Sequence, residues 1–366
     1  MRLGVAAALV DGRLLPGDVE VADGLVAAVG VGEPGGDRIA APGFVDLQIN
    51  GYAGIDFSAP GEGGYEIAGA ALLAHGVTAF QPTIVSGDLE AMLESLARFP
   101  TADPGPRAIG AHLEGPFLSR ARAGAHYEGA IQPPDLAVLE TLLAAGPVSQ
   151  MTVAPELAGA IEVIDALVER GVTVSCGHSE ADAAAAHLAF DHGARAVTHV
   201  FNAMRRFEPR DAGIAFAGLG REDVFVSAIV DGHHLADDTV RVAWRAAGGR
   251  LVLISDAVAA AAAPEGEYTL GGTVAIRSEG GIVRDEDGSL AGSTLSMPEA
   301  VRNLHALGVP VAAALSAATE APARMARRAD LGRIAPGARA DLVVLDDALR
   351  VERVLLGGEE LVADAA

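Results

Sequence analysis

The stretch that decides the fold is Val172–Met204, VTVSCGHSEADAAAAHLAFDHGARAVTHVFNAM. Two short β-branched runs, Val172–Ser175 and Ala196–Val200, flank an alanine-rich helical segment that stops at Gly193. This is the pattern of a βαβ unit. Each run leads into a histidine, His178 and His199. Parallel strands joined by a helix place their carboxyl ends on the same edge of a sheet, so the two imidazoles lie close despite the helix between them. A metal ion is an economical reason for that placement, because neutral imidazole is the commonest protein ligand for zinc and similar ions. Two polar strand caps bonded to loop backbone would account for an isolated pair equally well.

The same rhythm continues outward. Strand-like runs GFVDLQIN, VTAFQPT, RAIGAHLE, VSQMTVAPE, VFVSAIVDG and RLVLISDA join the two above. They alternate with helical segments such as Ala68–His75, Leu89–Phe99, Leu136–Ala145, Ala158–Arg170, Glu180–His192 and Asp238–Ala247. Eight such units over roughly 250–290 residues have the size of a (β/α)8 barrel. The alternative, a doubly wound open sheet, usually shows a glycine-rich dinucleotide loop after its first strand; the chain has no GxGxxG, GxSxG or Walker motif. Glu267–Leu290 predicts a β-hairpin near the barrel mouth, and helices over Pro298–Leu307 and Pro310–Arg328 close the domain. Both chain ends read as short alternating strands, with Asp-Gly turns at Asp11-Gly12 and Asp23-Gly24. The expected fold is therefore α/β, a TIM-like barrel over 43–330 with a small β-sandwich formed by residues 1–42 and 331–366.

Composition removes whole classes of function. A net charge of −23 argues against nucleic acid or an anionic membrane surface as partner, since both demand a basic face. No apolar run approaches the ~20 residues of a membrane span, and the opening MRLGVAAALVDGRLL reads as strand rather than signal peptide. The single cysteine, Cys176, excludes an internal disulfide framework and fits a reducing cytoplasm. There is no lysine at all. That excludes lysine Schiff-base chemistry, a P-loop lysine and a metal site bridged by a carboxylated lysine.

In a barrel, chemistry sits at the carboxyl ends of the strands. The third strand ends in His112-Leu113-Glu114, where a period of two puts His112 and Glu114 on one face, pointing into the mouth. The fifth and sixth supply His178 and His199, the seventh Asp231, His233 and His234, the eighth Ser255 and Asp256. One Glu and two His make a three-ligand site with an open position for water, the usual catalytic zinc arrangement. Asp256 is placed to take that water's proton. Glu114 and Asp256 could each merely cap a loop, but several independent caps all falling on strand carboxyl ends is the less economical account. His75 and His192 sit at helix ends, where an imidazole complements the dipole; His187 and His305 lie within helices.

The motifs PGFVDLQINGYAGIDF, HLEGPFLS, GHSEADA, THVFNAM, DGHHL, LISDA, LAGSTLSM and ADLVVLD together resemble the N-acetylglucosamine-6-phosphate deacetylase family of the amidohydrolase superfamily, over essentially the whole chain. The resemblance implies hydrolysis of the acetamide of N-acetylglucosamine 6-phosphate in amino-sugar metabolism, in a cytoplasmic homodimer. It also implies roles for individual residues. Glu114, His178 and His199 would hold the metal, and Asp256 would be base and then acid. His126 would polarise the acetyl carbonyl. Ala125, Asn202, Ala203 and Leu290, Ala291 and Gly292 would contact the sugar phosphate. Arg210 and His234 would hold its phosphate, with contributions across the dimer interface; Arg205 or Arg206 could stand in for Arg210.

Many amidohydrolases place His-x-His at the end of the first strand to bind a second metal. Here Gln48 and Asn50 stand in those positions, and amides bind divalent transition metals poorly. One divalent ion per chain is expected, zinc first, with Fe2+ or another divalent ion as alternatives. Two other functions remain open at this stage: an amidohydrolase acting on cyclic amides or isoaspartyl peptides, against which the missing lysine and His-x-His count, and a non-catalytic barrel scaffold, against which the intact constellation counts. So acidic a chain repels a sugar phosphate at long range, so association should quicken as salt rises unless the mouth itself is locally positive.

Overall fold

The structure is a computed structural model that describes residues 1–32 and 36–361. Residues 33–35 and 362–366, which belong to the segments expected to form the small β-sandwich, lie outside the described residues.

Eight parallel strands form the barrel: β1 (Phe44–Ile49), β2 (Val77–Val85), β3 (Ala111–Glu114), β4 (Val148–Val153), β5 (Thr173–Cys176), β6 (Ala196–Val197), β7 (Phe225–Ala228) and β8 (Leu251–Leu253). Each pairs in parallel with the next. The ring closes where Ile49 bridges Ala257 and the Asp256 N–H donates to the Gln48 carbonyl at 2.9 Å. The strands are covered on both faces, one by the barrel interior and one by helices, and most alternate apolar residues with buried polar ones such as Gln48, Thr83, His112, Gln150, Thr152, Ser175 and Ser227. Helices stop where expected, at His75-Gly76, Arg170-Gly171 and His192-Gly193. The glycines take φ of 79°, 76° and 99° there, a left-handed conformation that ends a helix at little steric cost.

Strands from both ends of the chain form a separate six-stranded sheet, Arg13–Pro16, Ala7–Val10, Ile39–Pro42, Leu342–Leu345, Val351–Leu356 and Glu359–Leu361 in spatial order. The hairpin Asp18–Ala22/Leu25–Val31 contributes Val19, Val21 and Val26 to a core shared with this sheet. The period of two decides what each face buries. Ala8, Ala40, Leu342, Val344 and Leu355 face that small core, whereas Leu9, Ala41, Val343, Leu345 and Val354 join the barrel's core. One sheet thus serves two hydrophobic cores. Both Asp-Gly pairs form two-residue turns, with Asp11 and Asp23 at φ of 46° and 50°.

Two expectations need correction. The segment after β8 is a four-stranded antiparallel sheet rather than one hairpin: Gly266–Leu270, Val274–Glu279, Ile282–Asp285 and Leu290–Ser293. Gly280-Gly281 adds a turn, and the last strand bridges Ala257 through Ser293. The helix expected over Pro310–Arg328 is two helices, Val311–Ala318 and Glu320–Met325, broken at Thr319. Pro322 explains the break, because it has no N–H to give to the Ala318 carbonyl four residues back.

Candidate active site

The carboxyl ends of β3, β5, β6 and β8 bring four buried polar side chains together. His178 and His199 follow β5 and β6 through tight bends. Gly177 permits the first, since a Cβ there would lie 2.8 Å from the Thr198 side chain. His178, His199 and Asp256 all hold positive φ, at 47°, 28° and 49°. Such conformations cost non-glycine residues about 1–3 kcal/mol each and persist only where packing enforces them. Here the strained backbone turns each side chain into the mouth.

Glu114 Oε1 lies 3.2 Å from His178 Nε2 and 3.0 Å from His199 Nε2, and the two Nε2 atoms are 3.1 Å apart. His178 Nδ1 donates to the Arg122 carbonyl at 2.9 Å, so the neutral ring presents a lone pair at Nε2. The three atoms therefore converge as donors toward one point. A tetrahedral ion with bonds of ~2.0–2.1 Å keeps its ligand atoms about 3.3 Å apart, close to the spacing found here. These three residues fit a single divalent cation. Among the described residues no other group of three His, Cys, Asp or Glu converges in this way.

Burial works against the Glu114 carboxylate, but hydrogen bonds and charge from His178 and His199 in their protonated form outweigh it and hold Glu114 well below the usual carboxylate range, whereas the deprotonated rings offer Nε2 lone pairs to a cation. Burial and the Glu114 charge push Asp256 the other way, up to about 6. Two neighbouring carboxylates with opposite shifts are the signature of divided roles. Asp256 Oδ1 accepts from Asn50 Nδ2 at 2.9 Å and Gln48 Nε2 at 3.2 Å, and Gln48 Nε2 also donates to Glu114 Oε1 at 2.9 Å. The first-strand amides thus tie the Asp256 and Glu114 carboxylates together. Oδ2 of Asp256 has no hydrogen-bond partner among the described residues.

His126 is buried beside them, its Nε2 3.8 Å from Glu114 Oε2. Its Nδ1 accepts the Ser86 N–H at 3.3 Å, which leaves the proton of the neutral ring on Nε2. Burial and the adjacent His178 lower its pKa to about 3, so it is a neutral donor. His234 is paired through Nδ1 to Asp231 Oδ2 at 2.7 Å. Burial disfavours the Asp231 carboxylate, but the His234 contacts prevail and hold it below its usual range.

A cavity of about 190 Å³ gathers Glu114, Ala125, His126, His178, His199, Asn202, Ala203, His234, Asp256, Leu290 and Gly292. Ala291 does not line it: its side chain is buried in the apolar cluster behind, because alternation turns it away from its neighbours. Arg210 is outside it too, exposed on the turn between Glu208 and Asp211. Arg205 is paired to Asp211 at 2.5 Å, and Arg206 borders a neighbouring groove. His112 shares the inward face with Glu114 but lies deeper, between Thr83 and Thr152 at 3.2 and 2.8 Å. Gly124, Ile229 and Leu270, not singled out from sequence, also line the cavity, as does Asn50, read from sequence only as an amide in the place of a second metal ligand. Asn50 carried a signal, as a polar residue at a strand's carboxyl end; Leu270, from the inserted sheet, carried none.

The amidohydrolase family profile matches residues 39–361. N-acetylglucosamine-6-phosphate deacetylase of Mus musculus is 41% identical over 345 residues, covering 88% of this chain and 83% of that protein. N-acetylgalactosamine-6-phosphate deacetylase of Escherichia coli is 34% identical, covering 95% and 96%. A mutant of N-acetyl-D-glucosamine-6-phosphate deacetylase from Mycobacterium smegmatis, solved in complex with N-acetyl-D-glucosamine-6-phosphate, superposes with a TM-score of 0.94 at 37% identity, covering 99% of both chains. By the reach of that profile and the closeness of these relatives, the chain belongs to the amidohydrolase family, among its N-acetylglucosamine-6-phosphate deacetylases.

Proposed function

We propose that this protein hydrolyses the acetamide of N-acetyl-D-glucosamine 6-phosphate to D-glucosamine 6-phosphate and acetate, with Glu114, His178 and His199 holding one divalent cation, zinc first. The observation that carries this reading is the convergence of those three donors beside a carboxylate that is not a ligand, Asp256. A cation held there would lower the pKa of water and polarise a carbonyl oxygen.

The chain's own residues supply the proton transfers. Asp256, with Oδ1 held by Asn50 and Gln48, accepts at Oδ2 the proton of the water that attacks the acetyl carbon. The Nε2–H of His126 donates to the acetyl oxygen as it gains negative charge, the role of an oxyanion-hole donor. Asp256 then delivers its proton to the amine nitrogen as the C–N bond breaks, so one carboxyl serves as base and acid in turn. His234, fixed by Asp231, meets the phosphate, and Asn202, Ala203, Ala125, Leu290 and Gly292 position the sugar. Arg210 is exposed outside its own chain's cavity, which suits a homodimer in which it reaches the phosphate in a second copy. No helix among the described residues is long and apolar enough to cross a membrane, and a cytoplasmic location is part of the reading.

The likeness to the Escherichia coli enzyme favours one second reading, the galacto epimer as substrate. Acetate release from the two 6-phosphorylated N-acetylhexosamines and from unphosphorylated N-acetylglucosamine separates them. The gluco 6-phosphate is expected to react fastest. A faster galacto 6-phosphate would move the assignment to the epimer, and equal rates with unphosphorylated sugar would remove the phosphate roles of His234 and Arg210.

A further inference from the structure

A large, strongly charged cavity lies away from the mouth. At the amino ends of β6, β7 and β8, a cavity of about 870 Å³ is lined by six arginines, Arg195, Arg250, Arg324, Arg327, Arg328 and Arg333. In a chain of net charge −23 this concentration of cations is out of character. Arg195 and Arg324 both stack over the Phe225 ring, 5.4 and 5.3 Å from its centroid, which fixes their planes; Arg195 Nη2 donates to the Arg324 carbonyl at 3.2 Å and Arg324 Nη1 to the Gly249 carbonyl at 3.3 Å, and their other terminal N–H groups are left to meet oxygen ligands. Arg328 is committed to Asp330 at 2.8 Å, and Arg250 to the backbone carbonyls of Leu219, Val224 and Ala246. Among the described residues, Arg195, Arg324, Arg327 and Arg333 make no ion pair with a carboxylate. The Nε of Arg195 is buried without any partner.

Four carboxylates share the wall, Asp11, Glu222, Asp223 and Glu320. Two are already engaged: Asp223 by Arg221 at 2.7 Å and Glu320 by the Gly12 N–H at 2.9 Å. Like charges crowded together are unfavourable by themselves, and burial with Arg327 and Arg324 beside it draws the Arg195 pKa down. An anion bridging these guanidiniums removes the repulsion and satisfies several donors at once. Phosphate suits them best, because a planar guanidinium bonds two of its oxygens together.

We propose that this amino-end cavity is a second anion site, taking an organic phosphate of about nucleotide size and distinct from the catalytic mouth. The volume exceeds the need of a bare phosphate and lies in the range of ~300–1,000 Å³ typical of small-molecule pockets. Asp11 and Ala335 place its rim against the terminal sheet, so a bound ligand ties the barrel to that sheet and stabilises the fold by mass action.

The test is calorimetric titration and thermal melting of the metal-loaded protein with three probes, ADP, glucosamine 6-phosphate and inorganic phosphate. Each is compared with an Arg327→Glu/Arg333→Glu variant and with the milder Arg327→Gln/Arg333→Gln. Both pairs lie on exposed positions, and any chelation by ADP is common to all three proteins. ADP is expected to bind and raise Tm in the parent, to bind at least about tenfold more weakly in the Glu variant, and to bind less tightly as salt rises. The Gln variant should fall between, with kcat unchanged in both. If glucosamine 6-phosphate alone shows a variant-sensitive component, the site takes the reaction's own product class. If no probe binds in a way that these substitutions weaken, the site does not exist.

Discussion

The two ends of one barrel use charge in opposite ways. At the carboxyl end, carboxylates and imidazoles are buried, share hydrogen bonds and sit on strained backbone in a cavity of about 190 Å³. At the amino end, guanidiniums line a cavity of about 870 Å³, half of them exposed and several without a counter-charge. Volume therefore does not locate the chemistry. Convergence does, because buried groups held at fixed distances interact strongly where water is scarce. The strands explain the asymmetry: at their carboxyl ends the chain turns out through βα loops that aim side chains at one point. At their amino ends the arginines come from ordinary strand starts and helix ends.

If catalysis resides wholly at the carboxyl end, the deepest loss follows the base. Asp256→Asn keeps the hydrogen-bonding shape but cannot accept a proton. Turnover should fall by about 10³–10⁴-fold or more, with metal content unchanged at about one ion per chain by elemental analysis. Glu114→Gln should lose the ion itself along with activity, and a chelator should imitate it, with zinc restoring the rate. Should Asp256→Asn turn over at the parental rate, the division of roles between the two carboxylates is wrong.

A smaller loss separates polarisation from proton transfer. His126→Ala removes one donor to the developing oxyanion and should lower kcat by about 10²–10³-fold while leaving the ion bound. The structure gives a reason for its precision: the Ser86 N–H fixes the tautomer. An unchanged kcat would reduce His126 to a wall of the cavity.

How much of this contrast was legible beforehand depends on how local each signal is. The βα rhythm, the Asp-Gly turns and the positions of Glu114, His178, His199 and Asp256 follow from periodicity and residue type over a few positions. Period two gave the face of His112 but not its depth, so it was set beside Glu114 although it lies between Thr83 and Thr152. The alternating segment after β8 points to strands near the mouth, but that Leu270 is the residue reaching the cavity is a tertiary fact with no local pattern. Arg210 sits on an exposed irregular turn, and counting along a motif cannot say which way such a turn points. The amino-end arginines come from four separate stretches, Arg195, Arg250, Arg324–Arg328 and Arg333, and only the closed barrel assembles them.

The smallest effect concerns the first-strand amides, Gln48 and Asn50. The Asn50 Nδ2–H stabilises the Asp256 carboxylate, opposing the burial and the Glu114 charge that raise its pKa. A base works only when deprotonated, so activity is lost as pH falls through that pKa. Asn50→Ala removes a bond to the charged form, and the pKa must rise. The acid limb of the kcat/KM profile should therefore move to higher pH, by less than about one unit since Gln48 still donates at 3.2 Å. Above the limb the rate should fall only a fewfold, because Oδ2, which Asn50 does not touch, is unaltered. A bound cation lowers the limb in both proteins, so the difference between profiles is the quantity to read. A shift to lower pH would mean that Asn50 favours the protonated acid instead, and that the first-strand amides serve the second proton transfer rather than the first.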